Sequence, residues 1–202
     1  MLYVYDSYHT RPEEWAGVLT RSEDLGGLRG GDGDAFFIGL WVEAGHRGDL
    51  ARGGFDGAYT YFATDGMTYG SSRQNWGQMA TFAKQHGMKF VPSSGPGYID
   101  TAIRPWNAGN SRDRESGGYF VRALERAMAL DTDILSITSF NEWHEGTQIE
   151  PAAPAHRMTV GLNKYEDYGR DGGDAYLAIV RRCVDACFAR GGKWCARPLA
   201  SN

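Results

Sequence analysis

The sequence lacks a long hydrophobic run. Hydrophobic residues make up 42% of its 202 residues, but no uninterrupted apolar stretch reaches the roughly 18 residues that a transmembrane helix needs. The amino-terminal stretch MLYVYDSYHT also lacks the charged start and apolar centre of a signal peptide. We therefore expect neither a membrane segment nor a targeting signal in this chain.

Clusters of basic residues are absent as well. The chain has 21 Lys and Arg residues against 25 Asp and Glu residues, which gives a formal net charge of −4 at pH 7. A surface that follows the phosphates of a nucleic acid needs clustered Lys and Arg, so we expect no nucleic-acid partner. Neutral or cationic partners fit this charge balance better.

No motif typical of a nucleotide or metal cofactor occurs. The chain has 28 glycines, but they do not occur with the spacing of a Rossmann fingerprint or a P-loop. His144 and Glu145 are neighbours, but the stretch HEGTQ lacks the second histidine of the zinc motif H-E-x-x-H. We therefore expect neither a metal nor an organic cofactor.

Cysteines are few: the chain has three, Cys183, Cys187 and Cys195. An odd number cannot pair entirely within the chain. Cys183 and Cys187 are four residues apart in a predicted helix, where small buried thiols are commoner than a metal site or a redox pair. The redox compartment stays open, because the sequence has no Asn-x-Ser/Thr glycosylation site either.

Five short apolar stretches predict β-strands. Most are apolar on both faces, as in a parallel sheet that helices cover. They are Leu2–Asp6, Ala35–Val42, Gly57–Phe62, Lys89–Ser94 and Ile134–Phe140. Helical patterns lie between or after them, at Pro12–Thr20, Ser72–Gly87, Tyr119–Asp131 and Asp174–Gly192. This alternation predicts a single α/β domain over residues 1–202, built as an open doubly wound sheet or a closed (β/α)8 barrel.

Polar and aromatic side chains follow the predicted strands, where a rigid scaffold positions loops that bind or catalyse. Tyr8 follows the first strand, and Tyr98, Asp100, Arg104 and Trp106 follow the fourth. Flat aromatic rings beside carboxylates suit a sugar, whose C–H faces pack on rings while its hydroxyls need fixed polar partners. The tyrosines, the arginine and the tryptophan are therefore candidates for sugar binding. The structural alternatives are a salt bridge for Arg104 and core packing for Tyr98 and Trp106.

The stretch SFNEWHEGTQIEP, Ser139 to Pro151, places two carboxylates three residues apart, directly after the fifth predicted strand. If this segment forms a helical turn, Glu142 and Glu145 lie on the same side and can face one pocket. Cleavage of a glycosidic bond needs such a pair, one acid to protonate the leaving oxygen and one ionised group to drive attack on the anomeric carbon. The alternative is two solvated glutamates in a surface loop. The Asn, Trp and His beside them favour the catalytic interpretation.

Four stretches of the sequence resemble glycoside hydrolase family 99, the endo-α-mannosidases and endo-α-mannanases. They occur in the family's order and cover most of the chain from Leu2 to about Ala153: YVYDSYHT, GGFDGAYTYFATDGMTYGSSRQNW, FVPSSGPGYIDTAIRPWN and SITSFNEWHEGTQIEPA. Within them, GPGYIDTAIRPWN resembles the animal members more than the bacterial mannanases.

This resemblance implies a (β/α)8 barrel that cleaves α-mannose chains internally with retention of configuration. Glu142 would be the base, and Glu145 the general acid and then base, in a reaction that passes through a 1,2-anhydro sugar. Asn141, Tyr61 and Arg104 match positions of sugar contact in the family. The resemblance further implies release of glucosyl-mannose from N-glycans, a Golgi location, and no cofactor.

The chain departs from the family at its start. If LYVYD matches the family's fourth barrel strand, three βα units are absent, and five strands remain where closure needs eight. An unclosed sheet exposes two edges, so we expect an N-terminally truncated catalytic domain. Two alternatives stay open, a bacterial-type endo-α-mannanase and a truncated module that binds mannosides without turnover.

Overall fold

Strands and helices alternate along the chain in the computed structural model, which describes residues 1–20, 27–130, 132–153, 165, 168–169 and 172–188. The strands are β1 (Leu2–Val4), β2 (Phe37–Leu40), β3 (Gly57–Tyr59), β4 (Lys89–Val91), β5 (Ser93–Ser94) and β6 (Ser136–Ile137). The α-helices are α1 (Pro12–Leu19), α2 (His46–Arg52), α3 (Trp76–Gln85), α4 (Gly118–Met128) and α5 (Ala175–Phe188).

Every strand pair is parallel. One sheet has the order β1-β2-β3-β4, with Leu2 opposite Phe37 at its first pair, and β5 pairs with β6 through Ser93 opposite Ser136. Only Pro92 separates β4 from β5, and its missing N–H interrupts the ladder there. The two pieces therefore correspond to the predicted fourth strand, and the prediction of five parallel strands is confirmed.

The central strands bury side chains on both faces, as their apolar sequence predicts. On one face, the side chains of β2, β3 and β4 join a core with residues of α1, α2 and α3; its strand members are Phe37, Ala58 and Phe90. On the other face, the alternate residues form a second cluster of Ile38, Leu40, Tyr59 and Val91. A third cluster joins α4 and α5. The strands are thus fixed from both sides.

β1 differs from the other strands of its sheet. Its Leu2 and Tyr3 are 50% and 41% exposed, although its sequence is as apolar as that of its neighbours. Within the described residues β1 pairs with β2 alone, so its other edge has no strand beside it. Position in the sheet therefore decides its burial more than its sequence does.

Two helices depart from the sequence pattern. α3 begins at Trp76 instead of Ser72, because the Ser72 hydroxyl donates a 2.6 Å hydrogen bond to the carbonyl of Thr68 instead of capping the helix. α2 was not predicted, because its seven residues are too few to show a clear helical periodicity. Its first residue, His46, accepts hydrogen bonds at Nδ1 from two backbone N–H groups of the preceding turn. No described helix has the length and apolarity to cross a membrane.

The predicted burial of Cys183 is confirmed, because its side chain lies in the cluster between α4 and α5, 3.0 Å from the sulfur of Met128. The side chain of Cys187 and all of Cys195 lie outside the described residues.

Gly70 packs directly on the end of β2. A Cβ at this position would lie 1.8 Å from the carbonyl oxygen of Trp41, while the Gly70 N–H donates to the carbonyl of Val42 and the Gly70 carbonyl accepts from the Trp76 indole.

Because neither the backbone of Gly70 nor that of Trp41 can move without cost, we expect Gly70→Ala to lower the free energy of unfolding by about 3 kcal/mol in urea denaturation. The matched control is Gly77→Ala in α3, where a Cβ meets nothing within 4 Å. It should raise the free energy by about 0.5–1 kcal/mol. Equal stability of the two variants would contradict this account.

Candidate active site

The two glutamates lie in the loop that follows β6. This strand ends at Ile137, earlier than predicted, and Trp143–Glu145 form a turn of 3-10 helix with Glu142 at its N-cap. The helical turn that the glutamate spacing required is therefore present. Ser139 fixes the start of the loop, because its hydroxyl accepts a 2.9 Å hydrogen bond from the Glu142 N–H. Both glutamates consequently sit at the carboxyl edge of the sheet.

Glu145 is largely buried, with 18% of its side chain exposed. Arg104 Nη1 donates a 2.9 Å hydrogen bond to its Oε1. Burial raises the pKa of Glu145, and the nearby charges of Glu142 and Asp100 raise it further; the Arg104 guanidinium opposes them, but the balance is a raised pKa. Glu145 thus keeps its proton to higher pH than an ordinary glutamic acid, which is what a general acid requires.

Asp100 holds Arg104 from the other side. This carboxylate is 0% exposed. Its Oδ2 accepts from Arg104 Nη1 at 3.1 Å, from the Tyr98 hydroxyl at 2.9 Å and from Asn107 Nδ2 at 2.9 Å. Burial alone would raise the pKa of Asp100, but these donors hold it below its usual value. The salt bridge offered as the alternative for Arg104 is therefore present, and one of its partners is a candidate catalytic group.

Tyr98 lies in the interior, 4% exposed. Burial and its hydrogen bond to Asp100 raise the pKa of its hydroxyl. Its place behind Asp100 matches the core-packing alternative and gives it a supporting role. Asp100 and Asn107 were not among the predicted site residues. They share one short segment after a strand with Arg104, and this clustering of polar residues was the signal available in the sequence.

Tyr61 follows β3 and faces the glutamates. Burial, the charge of Glu145 and then those of Tyr5 and Glu142 raise the pKa of Tyr61 to about 12. Its backbone has φ 54°, a value uncommon for residues other than glycine. The Ser93 hydroxyl accepts its N–H at 2.8 Å and helps to hold this conformation. The structure therefore brings Tyr61 together with the glutamate pair.

Tyr5, not Tyr8, is the tyrosine of the first segment that reaches this site. The rings of Tyr5 and Tyr61 meet edge to face at 5.0 Å, and burial, Asp6 and Glu145 all raise the pKa of Tyr5. Tyr8 instead donates to Asp6 and stacks on His46 at 5.1 Å. The period-two alternation of a strand, in which Tyr3 and Tyr5 share a face, was the signal for Tyr5.

Tyr8 and His46 line a separate cavity of about 170 Å³ between α1 and α2, which contains neither glutamate. Trp15 closes one side of this cavity and packs edge to face on Phe55 at 5.1 Å. Trp76, the first residue of α3, is fully buried in the core.

Trp106 and Asn141 face solvent. Trp106 is 82% exposed on the 3-10 helix Pro105–Asn110, directly after Arg104, which excludes core packing for it. Asn141 is exposed immediately before Glu142. Both side chains are open to a ligand at the rim of the site. Among the described residues, no three His, Cys, Asp or Glu side chains are placed to hold a metal ion.

A parallel α/β fold with two carboxylates at the carboxyl edge of its sheet is typical of one class, the barrel-type glycoside hydrolases. Within that class the chain belongs to glycosyl hydrolase family 99, whose sequence model matches residues 1–188. The resemblance seen in the four sequence stretches is confirmed.

Relatives support the same assignment. A rat protein named glycoprotein endo-alpha-1,2-mannosidase is 50% identical over 90% of this chain, and a Xenopus laevis protein of the same name is also 50% identical over 90%. The solved structure of the GH99 endo-alpha-mannosidase from Bacteroides thetaiotaomicron is 43% identical, with a TM-score of 0.84 over 91% of this chain. The described fold thus corresponds to five strands of the family's (β/α)8 barrel. The chain spans 38% and 40% of the two animal proteins and 53% of the bacterial one.

The raised pKa of Glu145 makes a prediction for stability. The folded protein binds this proton more tightly than the unfolded chain does, so ionised Glu145 costs stability at high pH, and the cost disappears as the pH falls through the raised pKa. Glutamine cannot ionise and still accepts from Arg104. In urea denaturation, Glu145→Gln should therefore be more stable than the wild type at about pH 7 and lose this advantage toward about pH 4.

The matched control is Glu13→Gln at an exposed position of α1, which gives the baseline for removing one surface carboxylate. If Glu145→Gln gained no more stability at neutral pH than this control, the cost assigned to ionised Glu145 would be refuted.

Proposed function

We propose that this chain carries the catalytic pair of a retaining endo-α-1,2-mannosidase. The observation that carries the proposal is Glu145, a buried carboxyl with a raised pKa that lies one 3-10 turn from Glu142 and is oriented by Arg104. The names of the rat and Xenopus relatives support the linkage specificity.

The stereochemistry of mannose explains how two carboxyl groups suffice. In an α-mannoside the oxygen at C2 and the leaving oxygen at C1 are both axial and on opposite faces of the ring. The 2-hydroxyl can therefore displace the leaving group from C1 and form a 1,2-anhydro sugar. Glu142 takes the proton of the 2-hydroxyl while Glu145 gives its proton to the leaving oxygen.

The second step reverses these roles. Glu145, now ionised, takes a proton from water, the water oxygen attacks C1, and the bond from C1 to the C2 oxygen breaks. Glu142 returns its proton to the C2 oxygen. Two inversions at C1 give overall retention. No metal or organic cofactor enters either step.

The remaining residues orient the groups. Arg104 donates to Oε1 of Glu145 and so leaves Oε2 to carry the acidic proton toward the leaving oxygen. Tyr61 and Asn141 are proposed to contact the reacting sugar, while the exposed Trp106 is proposed for a more distant part of the glycan. Tyr98 acts behind them by supporting Asp100.

The proposed substrate is a glucosylated mannose branch of an N-glycan, from which glucosyl-mannose is released. The word glycoprotein in the relatives' names supports this choice. An enzyme with this substrate acts in the secretory pathway, and we propose the Golgi as its place.

Hydrolysis of a glucosylated high-mannose glycan, resolved by mass, tests the catalytic pair. The chain should release an intact glucosyl-mannose disaccharide. Glu142→Gln and Glu145→Gln should each lower the rate by about 10²- to 10⁴-fold, since each removes one proton-transfer group, whereas Glu13→Gln should not. Equal loss in all three variants would contradict the assigned roles.

The outcome also separates the alternatives. Preferential release of a mannose disaccharide from an unglucosylated mannan would identify an endo-α-mannanase. Binding of the glycan by folded protein without any release would identify a mannoside-binding module.

A substrate change tests the anhydro-sugar route. A glycan whose reacting mannose is 2-deoxy lacks the attacking oxygen, so it should not be cleaved. It should still bind, because the remaining hydroxyls are unchanged. Titration calorimetry measures the binding, and mass spectrometry the cleavage. Turnover of the 2-deoxy glycan at a rate close to that of the parent would require an enzyme nucleophile instead.

A further inference from the structure

Asp100 is a fully buried carboxylate beside the candidate active site. Its side chain has no exposure to solvent. All three described donors go to one oxygen, Oδ2, while Oδ1 is buried without a hydrogen-bond partner. Burying a carboxylate in this way costs free energy, so its presence calls for a function that a neutral residue would not supply.

Arg104 supplies the reason for a charge at this position. A single nitrogen, Nη1, donates both to Asp100 Oδ2 at 3.1 Å and to Glu145 Oε1 at 2.9 Å. An arginine this close to a carboxyl group, acting alone, lowers its pKa by about 1–3 units. That would hold Glu145 ionised, which conflicts with protonating a leaving group. The raised pKa of Glu145 shows that burial and the neighbouring carboxylates outweigh this effect.

We propose that Asp100 is a positioning residue that anchors the Arg104 guanidinium and partly neutralises its positive charge. Arg104 can then orient Glu145 without keeping it ionised. The proposal rests on the function proposed above, in which Glu145 is the general acid.

The backbone keeps this bridge in place. The carbonyl of Asp100 accepts from the N–H groups of Ile103 and Arg104, and the carbonyl of Glu145 accepts from the N–H of Ile99 at 2.8 Å. Gly146, with φ +61°, packs so closely that a Cβ would lie 2.6 Å from the Ile99 side chain. The loop that carries Asp100 and the turn that carries Glu145 are therefore locked together.

Several other groups act on Glu145. The turn itself contributes Glu142, which raises the pKa of Glu145 as Asp100 does, whereas Arg104 lowers it. The neutral hydroxyls of Tyr98, Tyr61 and Tyr5 face it from the loop after β5, from the end of β3 and from the segment after β1; the pKa of each is raised, first by burial. Of the two carboxylates, only Asp100 also holds the arginine.

Asp100→Asn is a clean test. The amide oxygen can take the place of Oδ2 and keep its donors, and the amide nitrogen can take the place of Oδ1, which has no partner to lose.

The carboxyl carbon of Glu145 can be followed by NMR during a pH titration of the whole chain, with Glu145→Gln to assign its signal. We expect the midpoint for Glu145 to fall in Asp100→Asn, because the full charge of Arg104 then faces Glu145. The basic limb of the pH–rate profile should move to lower pH with it.

Asn107→Ala gives the opposite expectation. It keeps every charge but removes one of the three donors to Oδ2, so Arg104 is drawn closer to Asp100 and away from Glu145, and the midpoint should rise. Asn107 lies on the partly exposed 3-10 helix, so this variant should fold even if Asp100→Asn does not. Asp133→Asn, at an exposed ion pair with Lys89, gives the baseline for losing one negative charge.

A midpoint in Asp100→Asn that is unchanged beyond this baseline, or that rises, would overturn the proposal; if that variant does not fold, an unchanged or lowered midpoint in Asn107→Ala would do so. The titration needs no turnover, so it separates the two hypotheses. Shifted midpoints in a chain that cleaves no glycan would refute the proposed function and leave the role of Asp100 standing. Cleavage by a chain whose midpoints do not respond to Asp100 would refute this inference alone.

Discussion

Burial of both faces of a parallel sheet is the constraint on which the rest of this structure depends. β2, β3 and β4 each send alternate side chains into two different clusters, so no polar side chain can be accommodated along them without cost. Polar and charged residues are therefore displaced to the strand ends. Because all the strands are parallel, their carboxyl ends meet at one edge, and the site assembles there from the loops after β1, β3, β5 and β6.

At that edge, the main charged groups of the site are shielded from solvent. Glu145 and Asp100 are screened from water, so their charges are felt strongly by one another and by Arg104. One guanidinium bridges the two carboxylates, and burial raises the pKa of the surrounding tyrosine hydroxyls further above neutral pH. The site thus separates its carboxyl groups by environment. Asp100 is held ionised by three donors, while Glu145 retains its proton more readily.

The relatives are longer than this chain. The chain aligns over nine-tenths of its own length with family 99 proteins, but it covers 38% of the rat protein and 53% of the bacterial structure. The portion described here contains the glutamate pair together with Arg104, Asp100, Tyr61 and Tyr5. The charged groups of the candidate site therefore lie within the described residues of this chain.

The sequence by itself determined the strand and helix series, the family, and the pairing of Glu142 with Glu145, because each is expressed in local periodicity or in spacing over a few residues. The tertiary structure decided the contacts between distant segments. It chose Tyr5 over Tyr8, since the chain turns at Asp6, whose φ of 53° ends the strand alternation. It joined Arg104 to Glu145 across 41 positions, buried Asp100 completely, and left β1 exposed. These outcomes depend on how loops from different strands pack at one edge of the sheet. Alternation within a strand or clustering within a loop can indicate a candidate residue, but neither identifies its partner in a distant segment.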